Sequence, residues 1–322
     1  MDRDERLDLI LANTSEVVTR EEIEGLVDSG RELRAYAGYE PSGKIHLGHA
    51  LSVNKLIDLQ KAGVKVTVLL ADLHAHLNGK GSLDEIRKIA DYNRECFIAL
   101  GLDPVKTDFV LGSEIQLDPD YFMNVQRLAL TTTLLRARRS MDVISRDEEN
   151  PSVARVLYPL MQVADMVALG VDIAVGGSDQ RKIHMLARDN LPRLGLPSPA
   201  FIHLPIIHGL DGDEKMSSSK DNFISVDDPP EEIARKIKKA YCPAGVTEGN
   251  PVLELYRYHV FPRYDEVLIK RPQKFGGDLS YHSYINLERD FKDEAVHPAD
   301  LKKSLSEYVA QILAPVRGYF GK

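Results

Sequence analysis

Two histidines, His46 and His49, stand three residues apart in the run Pro41-Ser42-Gly43-Lys44-Ile45-His46-Leu47-Gly48-His49. That spacing puts both imidazoles on one side of a helix start. An apolar run, Arg34 to Tyr39, reads as a short strand before them, and Leu47 to Ala62 has helical spacing after them. A helix N-terminus offers free backbone N–H groups and a dipole that favours an anion. Gly48 would let a nucleotide approach the backbone, and both rings could donate to its phosphates as charge builds in the transition state. The same two histidines could instead simply cap the helix. Far along the chain, Lys215-Met216-Ser217-Ser218-Ser219 lies in a polar stretch between Gly212 and Asn222. A lysine there could swing onto a leaving pyrophosphate, and serine hydroxyls could bind phosphate oxygens. By itself such a stretch reads as a solvated loop.

Tyr158, Gln162 and Asp165 follow i, i+4, i+7 spacing and share one helical face. They could line a polar pocket, or Tyr158 and Met161 could pack in a core while Gln162 and Asp165 face solvent. His74 and His76 form an H-x-H pair, but no cysteine or acid nearby completes a zinc set, so no metal site is predicted. Arg136, Arg138, Arg139 and Arg146 make a basic stripe, suited to RNA or to a solvated helix face.

The elements that must position these groups alternate. Thr19-Arg20-Glu21-Glu22 and Ser82-Leu83-Asp84-Glu85 are capping boxes that open helices. Val64 to Ala71 is a continuous apolar run, as expected of a strand buried on both faces of a parallel sheet. Thr107 to Leu111, Gly170 to Gly176 and Phe201 to Ile207 read as further strands, with helices over Ser82 to Gly101 and Ser178 to Leu191. The pattern predicts an α/β fold with a doubly wound parallel sheet. Residues 117–168 carry no strand signal and read as a helical insertion. After Asp227-Asp228-Pro229-Pro230 the remaining runs, Glu231 to Ala240, Pro251 to Val260 and Pro298 to Leu313, are helical. The predicted division is therefore 1–226 and a small all-helical domain, 227–322. Neither the glycine fingerprint of dinucleotide folds nor a P-loop occurs.

Composition narrows the partners. The 322 residues carry 41 basic and 49 acidic side chains, a net charge of −8. That balance argues against nonspecific coating of nucleic acid, DNA included, but not against a local RNA contact. No apolar run approaches the roughly 18 residues of a membrane span, and the start, Met1-Asp2-Arg3-Asp4-Glu5, has no secretory pattern. Two cysteines, Cys96 and Cys242, fit a reducing compartment, so a cytoplasmic protein is expected.

The two signatures together resemble those of class I aminoacyl-tRNA synthetases, usually written HIGH and KMSKS. Here they read HLGH and KMSSS, with Ser219 in place of the second lysine. Gly38-Tyr39-Glu40-Pro41-Ser42-Gly43, Leu70-Ala71-Asp72-Leu73-His74-Ala75, Tyr158-Pro159-Leu160-Met161-Gln162-Val163-Ala164-Asp165, Gly176-Gly177-Ser178-Asp179-Gln180-Arg181-Lys182, Phe275-Gly276-Gly277-Asp278 and His297-Pro298 extend the likeness along the chain. They are similar to the tyrosyl-tRNA synthetases of archaeal and eukaryotic type. The resemblance implies a Rossmann-like catalytic domain, activation of L-tyrosine with ATP, and transfer to the 3′ end of tRNA(Tyr). It implies Mg2+ carried by ATP, no tightly bound cofactor, and a homodimer joined largely through the helical insertion. It assigns His46, Gly48, His49, Lys215, Ser217, Ser218 and Ser219 to ATP. It assigns Tyr36, Glu40, Ala71, His74, Gln116, Tyr158, Gln162, Asp165 and Gln180 to tyrosine, with Tyr36 and Asp165 as partners of the phenol hydroxyl. Arg139, Arg181 and Lys182 would meet the acceptor end of the tRNA, and Phe275, His297 and Asp300 its anticodon. The alternatives are a tryptophanyl enzyme of the same class and a catalytically inactive tRNA-binding relative.

Overall fold

The structure is a computed structural model and describes residues 1–141, 152–213, 215–218 and 220–321. Ser219, Arg146 and part of the expected helical insertion lie outside the described residues. Contacts divide the chain into two compact units: Met1–Ser42 with Ser52–Pro205, and Gly43–Leu51 with Ile206–Lys322. This differs from a boundary at 226/227: residues 206–226 group with the helical part, and hydrogen bonds keep the histidine segment with them. Leu47 N–H donates to the Ile224 carbonyl at 3.1 Å and Val226 N–H to the Ile45 carbonyl at 3.0 Å. The Ser225 hydroxyl adds a bond to the same Ile45 carbonyl at 3.2 Å. The segment with both histidines is thereby stitched to the stretch that follows the lysine loop.

In the first unit, helix α1 (Arg3–Leu11) leads to strand β1 (Glu16–Val18) and helix α2 (Arg20–Asp28). Strands β2 (Arg34–Tyr39), β3 (Lys65–Leu70) and β4 (Thr107–Leu111) alternate with helices α3 (Leu47–Lys61, whose residues up to Leu51 belong to the second unit), α4 (Asp72–Leu77) and α5 (Leu83–Ala99). A short helix α6 (Gly112–Gln116) follows, and then the insertion helices α7 (Pro119–Thr131), α8 (Leu134–Met141) and α9 (Val153–Ala168). Strand β5 (Ile173–Gly177), helix α10 (Arg181–Asn190) and strand β6 (Ala200–Leu204) complete it. Both capping boxes form: Thr19 with Glu22, and Ser82 with Glu85. Such a cap stabilises a helix by about 1 kcal/mol.

Among the described residues the sheet order is β1-β6-β5-β2-β3-β4. The inner pairings are parallel, and β1 runs antiparallel to β6 at the edge. The order reverses between β2 and β5, the place where open α/β sheets leave a crevice at their carboxyl ends. The apolar runs of β3 and β6 are buried on both faces, as parallel strands between helices must be. The core under the crevice is built from Tyr36, Leu69, Tyr121, Leu160, Val163, Ala164 and Phe201.

The second unit is largely helical: α11 (Pro230–Lys239), α12 (Pro251–Leu255), α13 (Tyr284–Lys292), α14 (Pro298–Ile312) and α15 (Ala314–Tyr319). Its helical character agrees with the sequence pattern, but a two-stranded antiparallel hairpin adds to it: β7 (Val267–Ile269) and β8 (Leu279–Tyr281). Each strand has three residues, too few for a period-two pattern to register. Among the described residues no helix is long and apolar enough to cross a membrane.

Candidate active site

Two groups of side chains stand out, one in each unit. In the first unit a hydrogen-bonded group gathers around the carboxyl ends of β2 to β5 and one face of α9. Tyr36 comes from β2 and Glu40 follows it; Ala71 and His74 follow β3; Gln116 ends the turn after β4; Gln180 follows β5. Tyr158, Gln162 and Asp165 project from α9, one face of one helix as their spacing required. Tyr36, His74, Gln116 and Asp165 are buried, Asp165 to 1% exposure.

Asp165 organises this group. Its Oδ1 accepts from Gln116 Nε2 at 2.8 Å and from the Tyr121 hydroxyl at 2.8 Å. Burial pushes its pKa up, and His74, Gln116 and Tyr121 oppose that rise. The Gln116 amide nitrogen also lies 3.0 Å from His74 Nδ1. An amide nitrogen only donates, so Nδ1 accepts and the imidazole proton sits on Nε2. His74 Nε2 and Gln116 Oε1 are both buried without a hydrogen-bond partner among the described residues. Nε2 stands 3.9 Å from Asp165 Oδ2. A hydroxyl seated between them would accept from the imidazole and donate to the carboxylate. Burial raises the Tyr36 phenol well above its ordinary pKa, with the Asp165 charge adding to this and the Gln162 side chain opposing it. Tyr36 is therefore a neutral donor beside the same carboxylate.

The outer rim is polar. Tyr158 donates to Glu40 Oε2 at 3.2 Å, Asn78 Nδ2 holds the same oxygen at 3.1 Å, and the Tyr158 ring stands edge-on to His74 at 4.5 Å. Gln162 Nε2 donates to Gln180 Oε1 at 3.1 Å. These groups offer carbonyl and hydroxyl oxygens to a substrate ammonium. Ala71 closes the end of β3 through its N–H to the Tyr39 carbonyl at 2.8 Å.

One support lies in the motif Leu70 to Ala75 but received no role from the sequence: Asp72. It accepts from Ser113 N–H at 2.8 Å, the Ser113 hydroxyl at 2.7 Å and Arg87 Nε at 3.4 Å. It thereby ties α4, which carries His74, to α6, which carries Gln116. Tyr121, from α7, is a second support.

The second unit holds the histidine pair and the loop. Gly48 N–H donates to His46 Nδ1 at 3.1 Å, and His46 N–H donates to His49 Nδ1 at 3.3 Å. Each Nδ1 is an acceptor, so each ring carries its proton on Nε2. The capping reading is visible in the two Nδ1 acceptors at the helix start. A Cβ on Gly48 would stand 2.9 Å from His46 Cε1, so only glycine lets the ring fold over the helix start. Burial, with His49 and Lys215 nearby, keeps His46 well below its ordinary pKa. Burial and Lys215 bring His49 down to about 4. Both imidazoles are neutral at pH 7, donating without carrying charge.

The lysine loop is anchored on its apolar residue. Met216 is buried and its N–H donates to the Ile207 carbonyl at 2.9 Å. Ser217 N–H donates to Asn222 Oδ1 at 2.9 Å, and Asn222 Nδ2 reaches the Lys215 carbonyl at 3.2 Å. Ser218 Oγ stands 3.1 Å from where a Cβ on Gly43 would sit, so the glycine of the Pro-Ser-Gly turn admits that hydroxyl. Lys215 is exposed and acts on both imidazoles. Lys220 pairs with Asp213 at 3.4 Å.

The residues assigned to RNA fall three in each unit. Arg139 on α8 and Lys182 on α10 are exposed. Arg181 is also exposed but is held by Glu16 at 2.8 Å. Glu16 also takes His203 Nδ1 at 2.7 Å, and His203 Nε2 meets His184 Nδ1 at 3.0 Å. Phe275 is 60% exposed. His297 caps α14, accepting from Ala299 N–H at 3.1 Å, and Asp300 lies in that helix's first turn.

The chain matches the family model of tRNA synthetases class I (W and Y) over residues 28–314. It belongs to that family. It is 63% identical over 317 residues to a tyrosine–tRNA ligase of Methanopyrus kandleri, covering 98% of each chain. It is 61% identical to a tyrosine–tRNA ligase of Methanosarcina acetivorans, covering 97% of this chain and 98% of that one. Its fold superposes with a TM-score of 0.94 on the crystal structure of a tyrosyl-tRNA synthetase from Archaeoglobus fulgidus complexed with L-tyrosine. That structure is 56% identical, with 99% of this chain and 100% of that chain covered.

Proposed function

We propose that this chain is a tyrosine–tRNA ligase. The observation that carries the reading is the buried acceptor–donor pair of Asp165 Oδ2 and His74 Nε2, 3.9 Å apart and flanked by the neutral Tyr36 phenol. A phenol both donates and accepts, which suits that arrangement; an indole offers one donor and no acceptor. Tyr158, Gln162 and Gln180 take the ammonium. A carboxylate oxygen of tyrosine attacks the α-phosphorus of ATP, the bond to the β-phosphate breaks, and pyrophosphate leaves. A ribose hydroxyl at the 3′ end of tRNA(Tyr) then attacks the carbonyl carbon of the adenylate and AMP leaves. Positioning and electrostatics suffice, without a covalent enzyme intermediate. Nε2–H of His46 and His49, with Lys215, Ser217 and Ser218, stabilises the phosphates. Magnesium arrives on ATP. Arg139, Arg181, Lys182, Phe275, His297 and Asp300 are assigned to the tRNA by the same family likeness.

Amino-acid-dependent ATP–pyrophosphate exchange tests this reading. Tyrosine is expected to drive exchange and phenylalanine and tryptophan are not; exchange with tryptophan, or with none of the three, overturns it.

We assign the homodimer contact to α7 and α8. Phe122, Met123, Leu130, Leu134 and Leu135 are exposed there, Leu130 to 89%. Exposed apolar side chains gathered on neighbouring helices mark a protein interface. Leu130→Asp is expected to halve the mass measured by sedimentation equilibrium. An unchanged mass would place the interface elsewhere.

A further inference from the structure

The two oxygens of Asp165 face different surroundings. Oδ1 has two short donors, Gln116 Nε2 and the Tyr121 hydroxyl, both at 2.8 Å. Oδ2 faces the imidazole of His74 across 3.9 Å. The Tyr121 hydroxyl also lies 2.8 Å from the Met161 carbonyl, four residues before Asp165 on the same helix. The single proton of the Tyr121 hydroxyl on α7 is thus shared between the Met161 carbonyl and the carboxylate, both carried by α9. Tyr121 itself is buried, 5% exposed, in the apolar cluster that also holds Tyr36.

We propose that Tyr121 is a specificity-determining positioning residue. With Gln116 it saturates Oδ1 of Asp165 and fixes the carboxylate, so that Oδ2 alone is presented to the phenol hydroxyl of tyrosine. This rests on the pocket being the tyrosine site. Without the Tyr121 hydroxyl the carboxylate can rotate, and a hydrogen bond that helps hold it ionised is lost. A phenylalanine substrate makes no use of Oδ2 and is indifferent to the change.

The test is Tyr121→Phe, which removes one oxygen from a buried ring. In ATP–pyrophosphate exchange, kcat/KM for tyrosine is expected to fall about tenfold or more, the scale of a hydrogen bond to a charged group. The value for phenylalanine and the KM for ATP should stay constant. A second readout is the acid limb of the tyrosine profile. The Tyr121 hydrogen bond lowers the Asp165 pKa, so its loss raises that pKa and moves the limb to higher pH. Equal losses for tyrosine and phenylalanine, or an unmoved limb, would reduce Tyr121 to a packing role and overturn the proposal. Should the phenylalanine variant not fold, 4-aminophenylalanine incorporated at position 121 keeps an N–H donor at the place of the hydroxyl and is expected to keep the discrimination. A folded 4-aminophenylalanine variant that loses discrimination counts against the proposal. Failure of the pocket reading shows separately, because the unaltered protein would then lack tyrosine-dependent exchange.

Discussion

Asp165→Asn is expected to lower kcat/KM for tyrosine in pyrophosphate exchange by about 10²-fold or more, while leaving phenylalanine nearly unaffected. The asparagine oxygen can keep the place of Oδ1, because Gln116 and Tyr121 both donate to it. The amide nitrogen then takes the place of Oδ2 and donates where the carboxylate accepted. It would face His74 Nε2–H, also a donor, with the phenol hydroxyl between them. A buried hydrogen bond to a charge is worth about 1.5–3 kcal/mol, and donors left facing one another cost a similar amount. At about 1.4 kcal/mol per tenfold, two orders of magnitude follow. A site built to bond a hydroxyl rejects the analogue that lacks it by leaving its own polar groups unpaired. Tyrosine-activating synthetases are themselves the standing example of that rule. The measurement is the ratio of exchange rates for tyrosine and phenylalanine. A ratio that stays where it was would remove Asp165 from phenol recognition.

The features legible in the sequence were those written in local patterns. The capping boxes at Thr19 and Ser82, the apolar run of β3 and the spacing of Tyr158, Gln162 and Asp165 depend on neighbours in sequence, and each took the expected form. The histidine pair was legible as a helix start. Its two readings could not be separated, because an imidazole has two nitrogens and capping engages only Nδ1. Asp72 and Tyr121 were illegible as supports for a different reason. Their partners lie 41 and 44 residues away, Ser113 and Asp165, and no local period encodes such a distance. The strand β1 was missed because three residues, Glu-Val-Val, are fixed by pairing with Phe201–His203 rather than by their own pattern. The boundary at 226/227 followed a proline-rich turn, whereas the bonds between 45–47 and 224–226 join segments 180 residues apart, which no local pattern encodes.

His49→Ala is expected to reduce kcat for exchange by about 10²- to 10³-fold, the scale of one donor lost from a preorganised transition-state site. The KM for tyrosine and the affinity for tRNA should remain unchanged. The substitution removes two things: the acceptor at Nδ1 for the His46 N–H, and the donor at Nε2. Magnitude decides between them. Loss of a helix cap costs about 1 kcal/mol of stability. That would lower the unfolding midpoint slightly without touching the barrier of a folded enzyme at saturating substrate. A loss of 10² in kcat corresponds to nearly 3 kcal/mol of the barrier, and a frayed first turn does not account for it. The Nε2–H donor must then act when charge develops on the phosphates. Burial and Lys215 keep His49 neutral, with its pKa at about 4, so this donor keeps its proton and its neutrality across pH 6 to 8. The mutant-to-wild-type ratio of kcat should accordingly be flat over that range. A midpoint that falls while kcat holds would make the pair a cap alone, and phosphate stabilisation would pass to Lys215 and the serines of the loop.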